Sequence, residues 1–302
     1  MEQVIIIGAG PAGISAALYT ARGNKHPLVI YSGMGALEKA QKIENYYGLT
    51  EPLSGKELFE TGIAQAKALG VRFIEAQVVG ISGFDTFEVR TTAGVYETES
   101  VILATGGKRF TPPIPGVKEF EGKGVSYCAV CDAFFYRGKE VAVLGNGDFA
   151  LHEAEALVNL ASGVTIYTDG LEPDFSKEHT IAVNTMKIQS IEGESRVQGL
   201  RLEPDLKIQE AQGAGEAFVP ADGVFVAVGT AGSSEIARQM GAELTEKGTI
   251  QVNDKMETSI PGLFAAGDCT GGLLQIAKAV YEGSQAALSV LQYLRRRKQK
   301  EH

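Results

Sequence analysis

The feature that most constrains this fold is a glycine-rich turn that occurs twice, each time between a strand pattern and a helix pattern. The first turn, GAGPAG at Gly8–Gly13, follows the apolar run Gln3–Ile7. The second turn, GNGDFA at Gly145–Ala150, follows the apolar run Glu140–Leu144. A strand, a glycine turn and a helix in this order begin a nucleotide-binding β-α-β unit. The sequence therefore predicts an α/β protein with two such units.

One of these units is expected to be inserted into the other. Pro112, Pro113 and Pro115 mark a break, since proline interrupts regular structure and stiffens a linker. Near Met240 the pattern of the first unit returns, and it ends in a long helix. We therefore predict two Rossmann-like, three-layer domains of the FAD/NAD(P) type, a discontinuous one at 1–114 and 241–302 and an inserted one at 115–240.

A second pattern lies between the first strand–helix–strand unit and the prolines. The stretches Val71–Ile74, Val78–Ile81 and Thr86–Arg90 alternate between apolar and polar residues. Such alternation is typical of half-buried strands, so we predict antiparallel strands here.

Composition limits the classes of protein to which this chain of 302 residues can belong. Hydrophobic residues make up 44% and charged residues 22%, and no apolar run reaches the length of a membrane span. The net charge of −9 gives no general attraction to nucleic acid or to an anionic membrane. The chain has three cysteines and starts with a strand pattern rather than a signal peptide, so a reducing, cytoplasmic location is expected.

Cys128 and Cys131 are separated by two residues and can close a small disulfide. Thiol–disulfide exchange requires a thiolate, and Asp132 beside the pair could protonate the departing one. The alternatives are half of a zinc site or two inert buried thiols. The histidines at positions 26, 152, 179 and 302 offer no compact pair of further ligands, so no metal is expected. The third cysteine, Cys269, is expected to be a small buried side chain.

The second glycine turn has the spacing of a nicotinamide dinucleotide site, but the charges that follow do not suit NADPH. Its 2′-phosphate calls for arginine or lysine after the next strand, where this chain has TDG at 168–170, then Glu172 and Asp174. Such charges would repel a phosphate by about 1–4 kcal/mol per close pair. NADH stays open, because Asp169 follows Gly147 at about the spacing of a ribose-binding acid.

The first glycine turn is expected to bind a nucleotide. Its glycines permit a tight turn and a close approach to a pyrophosphate, and the helix N-terminus favours negative charge. The next strand, Val29–Tyr31, ends without an acid, so Ser32 is the nearer candidate for contact with the ribose. Asp268, after Gly267 and before the last helix, could accept hydrogen bonds from the ribityl hydroxyls of a flavin. The alternative for Asp268 is an ordinary helix cap.

Taken together, five motifs resemble those of the low-molecular-weight thioredoxin reductases. They are GAGPAG at Gly8–Gly13, IENYYG at Ile43–Gly48, LATGG at Leu103–Gly107, CAVCDAFFYRGK at Cys128–Lys139 and SIPGLFAAGD at Ser259–Asp268. The resemblance covers nearly the whole chain and implies bound FAD and a homodimer. It also implies that the discontinuous domain binds FAD and that the inserted, degenerate NAD(P)-type domain carries the dithiol.

The resemblance assigns roles to single residues. Cys131 would face the flavin, Cys128 would attack the partner's disulfide, and Asp132 would be the acid. Asn45, Asp268 and the segment from Gln275 to Ala277 would lie near the flavin, with Val78 near the adenine. The implied cofactor-binding residues are Gly8, Gly10, Pro11, Ala12, Gly13, Ser32, Asn45, Val78, Ala104, Thr105, Gly106, Gly267, Asp268, Gln275, Ile276 and Ala277.

One departure from this family concerns the electron donor. NADPH-dependent members carry an arginine pair where this chain has TDG. In this respect the chain resembles the ferredoxin-dependent flavin thioredoxin reductases, which keep the FAD domain and the dithiol but lack the NADPH-binding residues. The leading hypothesis is therefore reduction of thioredoxin with electrons from ferredoxin. The alternatives are the same reaction with NADH or NADPH and, in another class, a flavin-bound redox sensor or interaction protein.

Near the C-terminus lies a basic tail that runs from Arg295 through Arg297 and includes Lys298 and Lys300. The favoured interpretation is a solvated helix end whose cations complement the helix dipole. The alternative is a docking patch for an acidic protein such as ferredoxin.

Overall fold

The computed structural model describes residues 1–107, 111–127, 129–203, 217–229 and 232–300. For Lys39, Val130, Cys131, Ala217 and Lys300 it describes the backbone alone. The chain forms two compact units, one from Met1–Arg109 with Gly232–His302 and the other from Phe110–Ala231. Within the described ranges, no helix is long and apolar enough to cross a membrane.

Parallel strands, antiparallel strands and helices alternate along the described chain. The strands are β1 (Ile5–Ile7), β2 (Leu28–Tyr31), β3 (Arg72–Glu75), β4 (Val78–Ser82), β5 (Phe87–Thr91), β6 (Gly94–Thr98), β7 (Val101–Leu103), β8 (Val125–Ser126), β9 (Glu140–Leu144), β10 (Gly163–Tyr167), β11 (Ala182–Asn184), β12 (Ile188–Gly193), β13 (Val197–Leu202), β14 (Ala217–Pro220), β15 (Gly223–Val226) and β16 (Leu263–Ala265). The α-helices are α1 (Pro11–Arg22), α2 (Gly55–Ala68), α3 (Ala129–Asp132), α4 (Asp148–Val158), α5 (Ser233–Gln239) and α6 (Ile276–Lys300), with 3-10 turns at Gly35–Lys39, Ala133–Tyr136 and Asp268–Thr270.

The unit that begins at Met1 is built on a parallel sheet with the strand order β16-β7-β1-β2-β3. Strands β1, β7 and β16 are short apolar runs whose residues are all buried. Such continuous burial is expected of parallel strands that are covered on both faces. A second sheet of this unit, β4-β5-β6, is antiparallel. The expected α/β class is confirmed.

The prediction of an antiparallel strand at Val71–Ile74 is wrong. This stretch contributes to β3, which pairs in parallel with β2 and places Leu28 opposite Arg72. Strand β3 is the last strand of its sheet, and both of its terminal residues, Arg72 and Glu75, are exposed. An edge strand in a parallel sheet therefore shows the same alternation as a half-buried antiparallel strand. The other two stretches form the antiparallel pair of β4 and β5, as predicted.

Helices α1 and α6 pack at very short range in this first unit. A Cβ atom at Gly283 of α6 would lie 2.1 Å from the carbonyl oxygen of Ala12. Glycine is therefore the residue that permits this contact. The contact places α6 against the first turn of α1, next to the glycine turn.

The unit from Phe110 to Ala231 has its own parallel sheet, with the order β11-β10-β9-β15-β8. Strand β9 leads through the second glycine turn into α4, and β10 pairs with β9 in parallel. A three-stranded antiparallel sheet, β12-β13-β14, completes the unit. A core of its own includes Val117, Leu144, Ile191, Leu200 and Val224.

Candidate functional site

The first glycine turn depends on glycine at two positions. Gly8 has a φ of 111°, and a Cβ atom there would lie 2.3 Å from the carbonyl oxygen of Ala104. A Cβ atom at Gly13 would lie 1.9 Å from the carbonyl oxygen of Gly8. At Gly10, in contrast, no other described atom comes within 4 Å of the Cβ position. The turn is thus packed on its inner side and open at its middle glycine.

Helix α1 begins at this opening, with Gly10 at its N-cap and Pro11 as its first residue. Its first turn has no acidic residue. The first amide groups of a helix have no acceptor within the helix, and the helix dipole adds partial positive charge there. The open middle of the turn therefore faces a helix end that favours a phosphate group.

Three strand ends bring further predicted residues to this turn. The amide of Ala104 donates to the carbonyl of Ile7 at 2.8 Å, and the amide of Ala266 donates to that of Leu103 at 2.9 Å. The segments after β1, β7 and β16 therefore lie side by side. A Cβ atom at Gly267 would be 2.9 Å from that of Ala12.

Asp268 and Thr105 are held within this group of segments. The Asp268 Cβ atom lies 2.6 Å from the Cβ position of Gly107, so these two segments of the chain are in contact. The Thr105 amide donates to Ser233 Oγ at 3.1 Å, and the Ser233 amide donates to Thr105 Oγ1 at 2.9 Å. Gly106, between them, has a φ of 91° and no other described atom within 4 Å of its Cβ position.

The remaining cofactor-binding candidates fall into two places. The Asn45 side-chain amide donates to Gln275 Oε1 at 3.0 Å, which joins two exposed residues that are 230 positions apart. Ile276 and Ala277 follow directly as the first residues of α6. Ser32 follows the end of β2, and Val78 begins β4 just after the end of β3. Because β2 and β3 pair in parallel, Ser32 and Val78 lie beyond the same edge of the sheet.

The dithiol segment lies in the other unit. Cys128 is outside the described residues, and Cys131 is described by its backbone alone, within α3. Ser126 Oγ donates to Asp132 Oδ2 at 2.6 Å. The Ala129 amide donates to Glu153 Oε2 at 2.5 Å, and Glu153 is only 1% exposed. Both ends of α3 are therefore bonded to side chains from neighbouring elements.

Neither Ser126 nor Glu153 was predicted from the sequence. Ser126 carries no signal, since a serine in a short strand is common. Glu153 carries one, because it interrupts the apolar face of α4, whose neighbouring residues Ala150, Ala154 and Leu157 are all buried. A carboxylate on such a face needs a polar partner in the interior.

Two aromatic side chains next to the dithiol segment face solvent. Phe134 is 69% exposed and Phe135 is 68% exposed, and both lie in the 3-10 turn Ala133–Tyr136 that follows α3. Their rings meet edge to face with centroids 6.4 Å apart, and the Arg137 guanidinium lies over the Phe134 ring. Exposed aromatic pairs beside an arginine are typical of protein-binding surfaces.

The second glycine turn is contacted by a segment of its own unit. The Asp174 amide donates to the carbonyl of Asn146 at 2.7 Å, and the Asn146 side-chain amide donates to the carbonyl of Glu172 at 3.1 Å. The Ser176 amide donates to Asp148 Oδ1 at 2.8 Å. Residues 172–176 therefore lie along the turn and the start of α4.

Asp169, considered above as a ribose-binding acid, has a structural partner. Its φ is 52°, and its Oδ1 accepts from the Ile188 amide at 2.8 Å. The carboxylate thus ties the end of β10 to the start of β12.

Cys269 is a buried structural residue, as predicted. It is 1% exposed, and its thiol donates to the carbonyl of Ala266 at 3.3 Å. Burial raises the pKa of this thiol to about 12, since an apolar interior disfavours the charged thiolate.

Comparison with known proteins shows the family to which this chain is similar. The family model of the pyridine nucleotide-disulphide oxidoreductases matches residues 2–283. The thioredoxin reductase of Aquifex aeolicus (strain VF5) is 37% identical over 300 residues, which cover 97% of this chain and 93% of that protein. An atypical thioredoxin reductase from Desulfovibrio vulgaris Hildenborough has a crystal structure with a TM-score of 0.86 at 38% identity, over 98% of this chain and 99% of that chain. A ferredoxin-flavin thioredoxin reductase from Clostridium acetobutylicum gives a TM-score of 0.66 at 34% identity, over 97% and 98%.

The chain therefore belongs to the pyridine nucleotide-disulphide oxidoreductase family and, within it, to the thioredoxin reductases. Members of this family are FAD-binding flavoproteins, and FAD is the cofactor of this chain. Two features of the first unit suit FAD. The Cβ positions of Gly10 and Gly106 are open, and the N-terminus of α1 favours a phosphate group. The polar groups of Asn45 and Asp268 also suit the hydroxyl and carbonyl groups of a flavin.

Proposed function

We propose that this chain reduces the disulfide of thioredoxin through FAD and the Cys128–Cys131 dithiol, with reduced ferredoxin as the electron donor. The names of the relatives support the acceptor, since those from Aquifex and Desulfovibrio are thioredoxin reductases. The relative from Clostridium acetobutylicum supports the donor by its name. The observation that carries the choice of donor is the segment at residues 172–176, which lies along the second glycine turn.

A nicotinamide dinucleotide would place its pyrophosphate against this turn and the start of α4. Here Asp148 stands in the first turn of α4, and its carboxylate accepts from the Ser176 amide. That carboxylate occupies the favourable end of the helix dipole and repels a phosphate. Glu172 and Asp174 add two more acidic residues to the same segment. Residues 172–176 thus already make hydrogen bonds to the turn and to the start of α4. This favours an electron donor that needs no dinucleotide site.

The residues of the dithiol segment suit disulfide exchange. The Cys128 thiolate would attack one sulfur of the thioredoxin disulfide, and Asp132 would give a proton to the sulfur that departs. Cys131 would then attack Cys128, which releases the second thioredoxin thiol and closes the Cys128–Cys131 disulfide. Ser126 donates to Asp132 Oδ2, which fixes this carboxyl beside α3 and leaves Oδ1 as the oxygen that would carry the proton.

Bound FAD supplies the carrier that returns two electrons to this disulfide. Each reduced ferredoxin provides one electron, so two are oxidised for each thioredoxin disulfide that becomes two thiols. Two protons from the solvent complete the balance.

The exposed Phe134 and Phe135 support a protein as the acceptor. They follow the dithiol segment within three residues, and both present large apolar surface to solvent. A protein disulfide brought to Cys128 could cover these rings, and burial of aromatic surface is a large contribution to binding. A small disulfide substrate would leave them exposed.

The basic tail is not proposed as the place where electrons enter. Helix α6 runs from Ile276 to Lys300, so Arg295 lies about 30 Å along the helix axis from Ile276, at 1.5 Å per residue. The flavin-binding candidates lie at the other end of this helix, and Arg297 is bonded to the carbonyl of Asp85. These contacts favour the interpretation of a solvated helix end.

We also propose that the chain works in the cytoplasm as a homodimer, as its resemblance to the family implies. Sedimentation equilibrium should give twice the chain mass of 32.0 kDa. A single mass of one chain at micromolar concentration would contradict the homodimer.

The test of this function is a turnover assay under anaerobic conditions. Photoreduced ferredoxin, thioredoxin disulfide and a catalytic amount of the protein are mixed, and new thioredoxin thiols are counted against ferredoxin oxidised. We expect two ferredoxins oxidised per disulfide reduced, and no thiols with the matched Cys128→Ser variant. Ferredoxin oxidation without thioredoxin thiols would favour the redox sensor instead.

NADH is the second candidate donor. The spacing of Gly145 and Gly147, with Gly147 as the N-cap of α4, retains the outline of a dinucleotide site. If NADH replaced ferredoxin in the assay at an equal or higher rate, residues 172–176 would have to leave the turn during turnover, and the proposed donor would be wrong.

A further inference from the structure

The loop after β16 is held by a nearly buried ion pair from helix α6. Lys278 Nζ donates to the carbonyl oxygens of Gly267 at 2.7 Å and Gly271 at 2.6 Å. It also lies 2.9 Å from Glu282 Oε2, which accepts from the Gly267 amide at 2.8 Å. Thr270 Oγ1 lies 2.8 Å from both Lys278 Nζ and Glu282 Oε2. The pair therefore holds the loop at its first residue, its last residue and one between.

The position of this ion pair is energetically unfavourable in two respects. The side chains of Lys278 and Glu282 are only 14% and 11% exposed, and an ion pair removed from water has to offset its own desolvation. Lys278 is the third residue of α6, where the helix dipole disfavours a cation. A charge pair placed against these preferences points to a task other than surface solubility.

The loop needs such support, because its glycines impose little conformational preference. Gly267, Gly271 and Gly272 have φ angles of 90°, 79° and 72°, a region that glycine enters freely. Asp268 follows Gly267 directly, so the direction of its carboxylate depends on the conformation of Gly267. The Gly267 amide donates to Glu282, and the Gly267 carbonyl accepts from Lys278 as well as from the amide and hydroxyl of Thr270, which lies within the loop itself.

We propose that Lys278 and Glu282 are positioning residues, which fix the loop from Gly267 to Gly271 so that Asp268 meets the ribityl chain of FAD. They act through the loop backbone, and Asp268 makes the contact. The inference rests on FAD as the cofactor and does not depend on ferredoxin or thioredoxin. Failure of the proposed electron donor would leave it intact.

The experiment measures the rate at which diluted holoprotein releases FAD, followed by the rise of free flavin fluorescence. Lys278→Met keeps the length of the side chain and removes its charge, and Glu282→Gln removes the other charge. We expect each to release FAD at least about tenfold faster, equivalent to about 1.4 kcal/mol. Lys298→Met, an exposed lysine on the same helix, is the matched control and should release FAD within about twofold of the parent protein.

A double variant separates positioning from a general loss of stability. Because both side chains act on one loop, Lys278→Met with Glu282→Gln should release FAD about as fast as the faster single variant. Hydrogen exchange at the Gly267 amide should accelerate in both single variants, and Lys278→Arg should restore part of the slow release. FAD release and Gly267 exchange unchanged in Lys278→Met would overturn the proposal. If that variant does not fold, Thr270→Val removes the shared hydroxyl instead, and an unchanged FAD release rate there would equally overturn it.

Discussion

Replacement of Glu153 by alanine tests how the dithiol segment is held. The Glu153 carboxylate is 1% exposed and accepts from the buried Ala129 amide at 2.5 Å. Ala129 directly follows Cys128 in the chain. Alanine at position 153 removes this acceptor and leaves space where the carboxylate was.

The expected loss follows from these two changes. A buried amide left without its acceptor costs about 1–3 kcal/mol, and truncation of a buried side chain adds to it. Glu153→Ala should therefore lower the free energy of unfolding by about 2–4 kcal/mol. Glu153→Gln keeps an acceptor oxygen of similar reach and should lose only about 1 kcal/mol.

Glu155→Ala is the matched control on the same helix. The Glu155 side chain is 44% exposed and pairs with Lys177 at 2.8 Å, and exposed ion pairs contribute about 0–1 kcal/mol. Urea unfolding of the FAD-loaded proteins gives the free energies, and hydrogen exchange reports on the Ala129 amide itself. If Glu153→Ala and Glu155→Ala unfold at the same urea concentration, with unchanged exchange at Ala129, the support of α3 by Glu153 is refuted.

Three further predictions concern the cysteines and the first glycine turn. Cys128→Ser should retain FAD, seen in its absorbance, and lose thioredoxin reduction; unchanged turnover would remove Cys128 from the mechanism. Gly10→Ala should fold normally, since its Cβ position is open, yet bind FAD at least about tenfold more weakly, whereas Gly8→Ala should fail to fold stably. Equal FAD affinity in Gly10→Ala would contradict the phosphate position. The pKa of Cys269 is raised to about 12, so this thiol should resist alkylation at pH 8, and its contribution to stability, complete below pH 9.0, should be lost as the pH rises towards 12. Rapid alkylation of Cys269 in the folded protein would contradict its burial.

Local patterns predicted the segments of the first unit that the structure brings together as its candidate site. The turn from Gly8 to Gly13 and the pair Gly267 and Asp268 are each marked by an apolar strand before them and a helix after them. Once both strands belong to one parallel sheet, their carboxyl ends meet at the same edge, as the contact of Gly267 with Ala12 shows. The proximity of these two segments therefore follows from the sheet topology, which the local patterns alone do not give.

Contacts between distant parts of the chain could not be predicted in this way. Asp169 has the spacing of a ribose-binding acid, but its carboxylate caps the Ile188 amide, because the chain turns back there into β12. The bond from Asp174 to Asn146 depends on the path that the chain takes after β10, which no local period records. Lys278 was not singled out from the sequence, and only the loop beside it explains its burial.

The central proposal is that electrons reach this flavin without a nicotinamide nucleotide. The most direct measurement is the anaerobic bleaching of the bound flavin, with NADPH, NADH or reduced ferredoxin added in turn to the oxidised protein. We predict bleaching by ferredoxin within the time of one turnover and none by either nucleotide in that time. Rapid bleaching by NADPH or NADH would contradict it.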